Sequence, residues 1–145
     1  MKINMHKNLY KGCVFLGGIC EKSTWRNWRS KLIEKLDLAV PYFDPQVEKW
    51  NEVDATREKA CKSVARFNVF VITGDAFEIY PDWKIYEEAN KDASKLIFCT
   101  IEEVPENQIE GISKIKERLT RMGATVCKSL DEIAAILNEA YAEKQ

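Results

Sequence analysis

The sequence predicts a doubly wound α/β domain, in which helices cover both faces of a five-stranded parallel sheet. Three observations predict it. Strand and helix signals alternate from one end of the chain to the other. The run Phe67–Ile72 is almost entirely apolar and β-prone, as expected of a central strand buried on both faces. Turn-forming residues follow the apolar runs, as at Gly17-Gly18 and Asp44-Pro45. Such alternation implies parallel strands joined by right-handed helical crossovers.

Five apolar runs are expected to form the strands. Five strands suggest the flavodoxin-like order 2-1-3-4-5, in which ligands bind beyond the carboxyl ends of the first and third strands. The expected strands are Cys13–Leu16, Val40–Phe43, Phe67–Ile72, Leu96–Ile101 and Ala124–Cys127.

Helical spacing and capping residues place the helices between these strands. Gly123 is expected to end the fourth helix in a left-handed conformation, and Ser129 to Glu132 is a capping-box sequence for the fifth. The expected helices run over about 24–36, 54–65, 82–93, 109–122 and 129–141.

The composition is that of one ordinary globular domain. Of the 145 residues, 46% are apolar and 31% charged, and the net charge of −1 gives no overall attraction to polymeric nucleic acid or an anionic membrane. No stretch approaches the roughly 20 apolar residues of a membrane span. We therefore expect a polar N-terminal arm at 1–11 and one domain over 12–145. The single histidine, His6, lies in that arm, which argues against a Ser-His or Cys-His catalytic device.

Five cysteines are present, and none belongs to a CxxC or Cys/His cluster. We expect buried, unpaired thiols that pack as small apolar side chains, and no metal site or cofactor. Unpaired cysteines favour a reducing compartment, so a cytoplasmic location is expected.

Donors for an anion follow the first strand. Gly17 and Gly18 lack side chains, so backbone N–H groups at the next helix N-terminus can approach a phosphate. A tight turn followed by a solvated basic helix face is the alternative interpretation. Hydroxyl and guanidinium donors for the phosphate would come from Ser23, Thr24, Arg26 and Arg29.

The second and third strand ends bring further polar and aromatic residues to the same edge. Asp44 follows the second strand, and Asp75 lies in the segment after the third. Trp50 could stack on a nucleobase, although large aromatics also cover core edges. Glu87 and Glu88 lie early in the third helix. A carboxylate there can take part in glycosyl chemistry, or it can simply stabilise the helix through its interaction with the helix dipole.

Several of these segments resemble the nucleoside 2-deoxyribosyltransferase-like family. The resemblance is carried by the Gly-Gly strand end, a Trp-Arg pair and a Phe-Asp-Pro…Trp segment, together with two later pieces. The segments are Val14–Gly18, Thr24–Arg26, Tyr42–Pro45 with Val47 and Trp50, Val71–Thr73 and Ile85–Glu87.

The resemblance implies a small-molecule nucleoside or nucleotide as ligand and cleavage or transfer at its N-glycosidic bond. Glu87 would be the nucleophile, with Glu88 as the adjacent alternative, and Asp82 would orient the sugar or the carboxylate. Water or a second base would accept the sugar. Similar transferases often complete their sites across a homo-oligomer, which is expected here as well. The alternative is a catalytically inactive nucleotide-binding or sensor domain of the same fold.

Overall fold

The computed structural model describes residues 12–18, 28–44, 52–73, 82–101 and 104–142. Five parallel strands form one sheet in the order β2-β1-β3-β4-β5, which confirms the predicted fold class. The polar arm expected at 1–11 lies outside the described residues. The strands are β1 (Val14–Gly18), β2 (Tyr42–Phe43), β3 (Phe67–Thr73), β4 (Leu96–Ile101) and β5 (Thr125–Cys127).

Helices follow the strands in alternation. Within the described ranges they are α1 (Trp28–Lys35), α2 (Glu52–Val64), α3 (Asp82–Asp92), α4 (Ile109–Met122) and α5 (Leu130–Ala142). Short 3₁₀ turns at Ala93–Lys95 and Glu106–Gln108 lead into β4 and α4.

The alternating side chains of β3 show how the two layers form. Val69 and Val71 pack against α1 and α5, whereas Phe70 and Ile72 pack against α3 and α4. All four are at most 2% exposed. Burial of each such side chain contributes about 1.5–3 kcal/mol, so a central strand with no polar face is strongly favoured in the middle of the sheet.

The end of α4 and the start of α5 carry the predicted capping residues. Gly123 has φ 103°, and its N–H donates to the Leu119 and Thr120 carbonyls at the end of α4. At the start of α5 the Glu132 N–H donates to Ser129 Oγ at 3.2 Å. The Glu132 carboxylate reaches back to the Lys128 N–H at 3.0 Å, one residue earlier than in the standard capping box.

Five strand bounds differ from the prediction, three of them by one residue, and the larger differences are at the end of β1 and the start of β2. β1 continues through Gly17 and Gly18, which pair with Phe70 and Val71 of β3 rather than forming a turn after Leu16. The edge strand β2 has only two residues, because Val40 precedes the paired segment and donates its N–H to the Asp37 carbonyl. The carboxyl end of β1 therefore extends beyond that of β2.

Candidate functional site

The carboxyl ends of β1 and β2 are joined by a buried arginine. Arg29 lies in the first turn of α1 and is 1% exposed. Its Nε donates to the Leu16 carbonyl of β1 at 3.0 Å, and Asp44 Oδ1, directly after β2, lies 3.6 Å from the same nitrogen. The guanidinium also stacks over the Trp28 ring at 4.5 Å. The structure thus connects two predicted segments of the site through Arg29, which the sequence predicts as a phosphate donor or as part of a solvated basic helix face. Its burial contradicts the second interpretation for this residue.

The position of Arg29 follows from the helical period. Trp28 and Leu32 are four residues apart and both fully buried, so they mark the face of α1 that meets the sheet. Arg29 is one residue after Trp28 and three before Leu32, which places it on the flank of that face. The spacing alone could have shown that Arg29 borders the core.

Gly17 is buried inside the sheet. A Cβ at this position would lie 3.1 Å from the Phe70 ring and 3.2 Å from the Phe15 ring, closer than most real Cβ contacts. The glycine therefore lets two aromatic rings close over the end of β1, next to the carbonyl that Arg29 binds. The proposed role of its backbone N–H in anion binding stays a prediction.

The two adjacent glutamates of α3 face different surroundings. Ile85 and Ala89 are buried against the sheet. Because successive residues turn by about 100° around a helix, Glu87 projects away from that face, whereas Glu88 lies on its flank. The side chain of Glu87 is 52% exposed and its Oε1 lies 3.8 Å from Lys91 Nζ. Glu88 is 10% exposed.

Glu88 contributes to a lysine-rich cavity of about 370 Å³ between α2 and α3. Its Oε1 lies 3.5 Å from Lys91 Nζ and 4.0 Å from Lys62 Nζ. Lys95, also in the lining, donates to the Lys62 and Ala65 carbonyls at the end of α2. The cavity thus lies toward the amino edge of the sheet, away from the edge where the sequence predicts the ligand. Its lining residues are Lys59, Lys62, Ser63, Glu88, Lys91, Asp92 and Lys95.

The remaining predicted site residues are only partly within the described structure. Asp82 is the first residue of α3, about 1.4 helical turns before Glu87, and Gly18 is the last of β1. The other predictions lie outside the described residues: Ser23, Thr24, Arg26, Trp50 and Asp75.

The cysteines in the described residues are buried thiols. Burial raises the pKa of Cys99 to about 12 and that of Cys127 to about 11. Both therefore stay protonated at neutral pH and pack as apolar side chains.

Cys13 and Cys61 form a contact of their own, with 3.2 Å between the two sulfur atoms. Their hydrogen bond lowers the pKa of Cys13, and the same bond together with burial raises that of Cys61. The pair closes the core between β1 and α2.

Within the described ranges, no group of three or more His, Cys, Asp or Glu side chains is placed to hold a metal ion. Within those same ranges, the helices are too short or too polar to cross a bilayer.

Fold and edge together define the class of protein: a doubly wound α/β domain with a buried arginine and a partly exposed aspartate at the carboxyl ends of β1 and β2. Such folds bind their ligands at that edge. The family model for "nucleoside 2-deoxyribosyltransferase like" proteins matches residues 11–104, from the start of β1 to beyond the end of β4. The chain belongs to this nucleoside 2-deoxyribosyltransferase-like family.

Membership supports a nucleoside-related transferase role in general, with a small nucleoside as the class of substrate. Comparisons with curated proteins and with solved structures found no match.

Proposed function

We propose that the protein binds a nucleoside or nucleotide and cleaves or transfers at the N-glycosidic bond through a glutamate nucleophile on α3. One observation carries the proposal. The family match covers β1 to β4, and therefore includes both the predicted ligand edge and the helix that bears the carboxylates. The finer assignment of substrate, acceptor and residues is part of the proposal.

The chemistry needs one carboxylate that reaches the anomeric carbon. A carboxylate oxygen bonds to that carbon while the bond to the base breaks, and the base leaves with the bonding electrons and takes up a proton. The resulting ester is then attacked by water or by a second base, which restores the carboxylate. The oxocarbenium-like transition state is positively charged, so the same carboxylate also stabilises it electrostatically.

Accessibility favours Glu87 as this nucleophile. Half of its side chain is exposed, and its partner Lys91 is itself a surface lysine with 62% of its side chain exposed. Such an exposed pair is weak, at about 0.3–0.5 kcal/mol, and a ligand can displace it. Glu88 is nine-tenths buried between two ammonium groups and faces the lysine-rich cavity instead. It would have to break that network before it could reach a sugar.

The other proposed roles belong to the carboxyl edge. Asp44 is 32% exposed beside Arg29 and would accept hydrogen bonds from sugar hydroxyls. Asp82, at the start of the same helix as Glu87, would orient the carboxylate or the sugar. Backbone N–H groups at Gly17 and Gly18 would approach a phosphate. Ser23, Thr24, Arg26, Trp50 and Asp75 complete the proposed ligand-binding set.

Glu87→Gln tests the nucleophile. Purified protein is incubated with a panel of deoxynucleosides and their monophosphates, with and without an acceptor base, and released base is measured. We expect base release by the wild type and a loss of at least about 10³-fold in kcat for the variant, because an amide cannot form the glycosyl ester. The phosphate-binding role predicts faster release from monophosphates than from nucleosides.

A matched control comes from Glu117, which forms a similar exposed ion pair four residues from Arg121 on α4. Glu117→Gln removes the same charge far from the proposed site and is expected to retain full activity. If Glu88→Gln abolishes base release while Glu87→Gln does not, the nucleophile is Glu88. A wild type that binds nucleotide but releases no base over hours is the non-catalytic binding or sensor domain.

Subunit assembly is the remaining part of the proposal. Glu87 lies on the outer side of α3, so a second subunit packed there would cover it and complete a closed site. Measurement of the solution mass tests this expectation, and a strict monomer would exclude a site completed by a neighbouring copy.

A further inference from the structure

An arginine that is 1% exposed needs a specific reason to be there. Removing a guanidinium from water is costly unless hydrogen bonds and an opposite charge replace the lost hydration. Arg29 obtains both from the carboxyl edge of the sheet, through the Leu16 carbonyl and the Asp44 carboxylate. An apolar side chain would fill this part of the core without that cost, so packing alone does not explain the arginine.

The short strand β2 explains why this contact forms. β1 pairs with β2 at Val14 and Phe15. Leu16 is the first residue of β1 beyond that pairing, and its carbonyl accepts the hydrogen bond from Arg29. Arg29 therefore continues the connection between the two strands after the backbone ladder has ended.

Asp44 is the member of this group that a ligand can reach. About a third of its side chain is exposed, whereas Arg29 is enclosed. We propose that Arg29 is a positioning residue that ties the carboxyl ends of β1 and β2 together and directs the Asp44 carboxylate at the sugar hydroxyls of the ligand. The proposal rests on the proposed function for the identity of the ligand, and it makes substrate binding depend on a residue that does not touch the substrate.

A double-mutant cycle with Arg29→Met and Asp44→Asn tests the dependence. We expect Arg29→Met to raise the KM for base release by about tenfold, which corresponds to 1.4 kcal/mol, with a smaller change in kcat. The KM of the double variant should be no higher than that of Asp44→Asn alone, because Arg29 acts through Asp44. Fully additive effects on KM would overturn the proposal, since a merely structural role does not depend on Asp44.

Arg29→Lys keeps the positive charge and provides a second test if Arg29→Met does not fold. A lysine ammonium can reach one of the two partners but lacks the planar fork of the guanidinium, so a KM between those of wild type and Arg29→Met is expected. The matched control is Arg66→Met. Arg66 is half-buried and, like Arg29, donates to a carbonyl, Ala140 O at 3.1 Å, but it lies before β3 at the opposite edge. Arg66→Met should leave the KM for base release unchanged.

Crystal structures separate a failure of this proposal from a failure of the proposed function. If the wild type releases no base, the proposed function fails, and the tie between the strands is judged from structure alone. An Asp44 carboxylate that moves by more than about 1 Å in Arg29→Lys, compared with wild type, supports the tie. A carboxylate that stays in place in both Arg29 variants overturns it.

Discussion

The two ends of β1 each carry a glycine, but for different physical reasons. Gly12, just before the strand, has φ 80°, and a Cβ there would meet nothing within 4 Å. Gly17 has no positive φ, and a Cβ there would press on the Phe70 and Phe15 rings. The amino end therefore needs glycine for backbone conformation, and the carboxyl end needs it for space.

The polar groups around the two glycines also differ in how they are used. At the amino end, the Gly12 N–H donates to the Val64 carbonyl, and the Gly12 carbonyl accepts from the Tyr141 hydroxyl at 2.6 Å. Polar groups at this end are thus used by the fold itself. At the carboxyl end, the partly exposed Asp44 keeps a polar group within reach of a ligand. The comparison indicates that the amino end of β1 serves stability, and it agrees with the proposed use of the carboxyl end for binding.

Gly17→Ala should have the largest effect on stability in this comparison. The added methyl group must push aside the Phe70 ring, which is 2% exposed, and overpacking of this kind costs about 1–3 kcal/mol. The free energy of unfolding, measured by denaturant titration, checks it. In a Phe70→Leu background the same substitution should cost less, because one of the two crowded rings is gone. Equal costs in both backgrounds would contradict the steric explanation.

Tyr141→Phe removes the hydroxyl that closes the amino end. The lost hydrogen bond to Gly12 should lower the free energy of unfolding by about 1 kcal/mol near pH 8. Thermal or denaturant unfolding of both proteins measures the difference, and activity should be unchanged. An unaltered stability would show that the hydroxyl finds equivalent partners in water.

The same tyrosine gives the amino end a pH dependence. Burial raises the pKa of Tyr141 to about 12, above its ordinary value of 10. The neutral hydroxyl is favoured in the folded state, so its contribution is complete below pH 10 and is lost as the pH rises towards 12. The stability gap between wild type and Tyr141→Phe should therefore narrow by about 1 kcal/mol between roughly pH 8 and 11. A gap that is constant over this range would contradict the assignment.

Gly12→Ala should cost about 1 kcal/mol through backbone strain, since a positive φ forces Cβ towards the following carbonyl oxygen. Gly12→Asn is the informative comparison, because asparagine tolerates the left-handed region better than alanine does. The measured free energy of unfolding should be highest for the wild type, lower for Gly12→Asn and lowest for Gly12→Ala. If Phe70→Leu reduces the loss of stability caused by Gly12→Ala, contact with the Phe70 ring also acts at the amino end. The two ends of β1 would then not differ as described.

The sequence predicts the layers of this fold better than it predicts the ends of its strands. The alternation of Val69 and Val71 with Phe70 and Ile72 makes β3 central, because all four side chains must be buried. Gly17 and Gly18 were expected to end β1, since glycine is rare inside strands. Phe15 crowds this position from two residues earlier on β1, and the closer contact is with Phe70, which pairing with β3 brings alongside Gly17. Local sequence does not contain that contact.

The candidate site shows the same limit. Motif and spacing place Glu87 and Glu88 on α3, but the enclosure of Glu88 beside Lys62 depends on how α2 packs against that helix. The role of Arg29 also depends on the length of β2, because a longer edge strand would have paired with Leu16 itself. Both are tertiary effects, and a periodicity argument along one helix gives only the face that meets the core.

Gly111→Ala provides the reference for both glycines of β1, and its effect should be the smallest and opposite in sign. Gly111 lies in α4 with no positive φ, and a Cβ there would meet nothing within 4 Å. Alanine should therefore raise the free energy of unfolding by about 0.5 kcal/mol, through its better helix propensity and a less flexible unfolded chain. If this variant is instead destabilised, alanine is unfavourable even where strain and crowding are both absent. Part of the stability lost in Gly12→Ala and Gly17→Ala would then come from alanine itself. Backbone strain at Gly12 and the Phe70 ring at Gly17 would explain less of the loss than the comparison of the two ends requires.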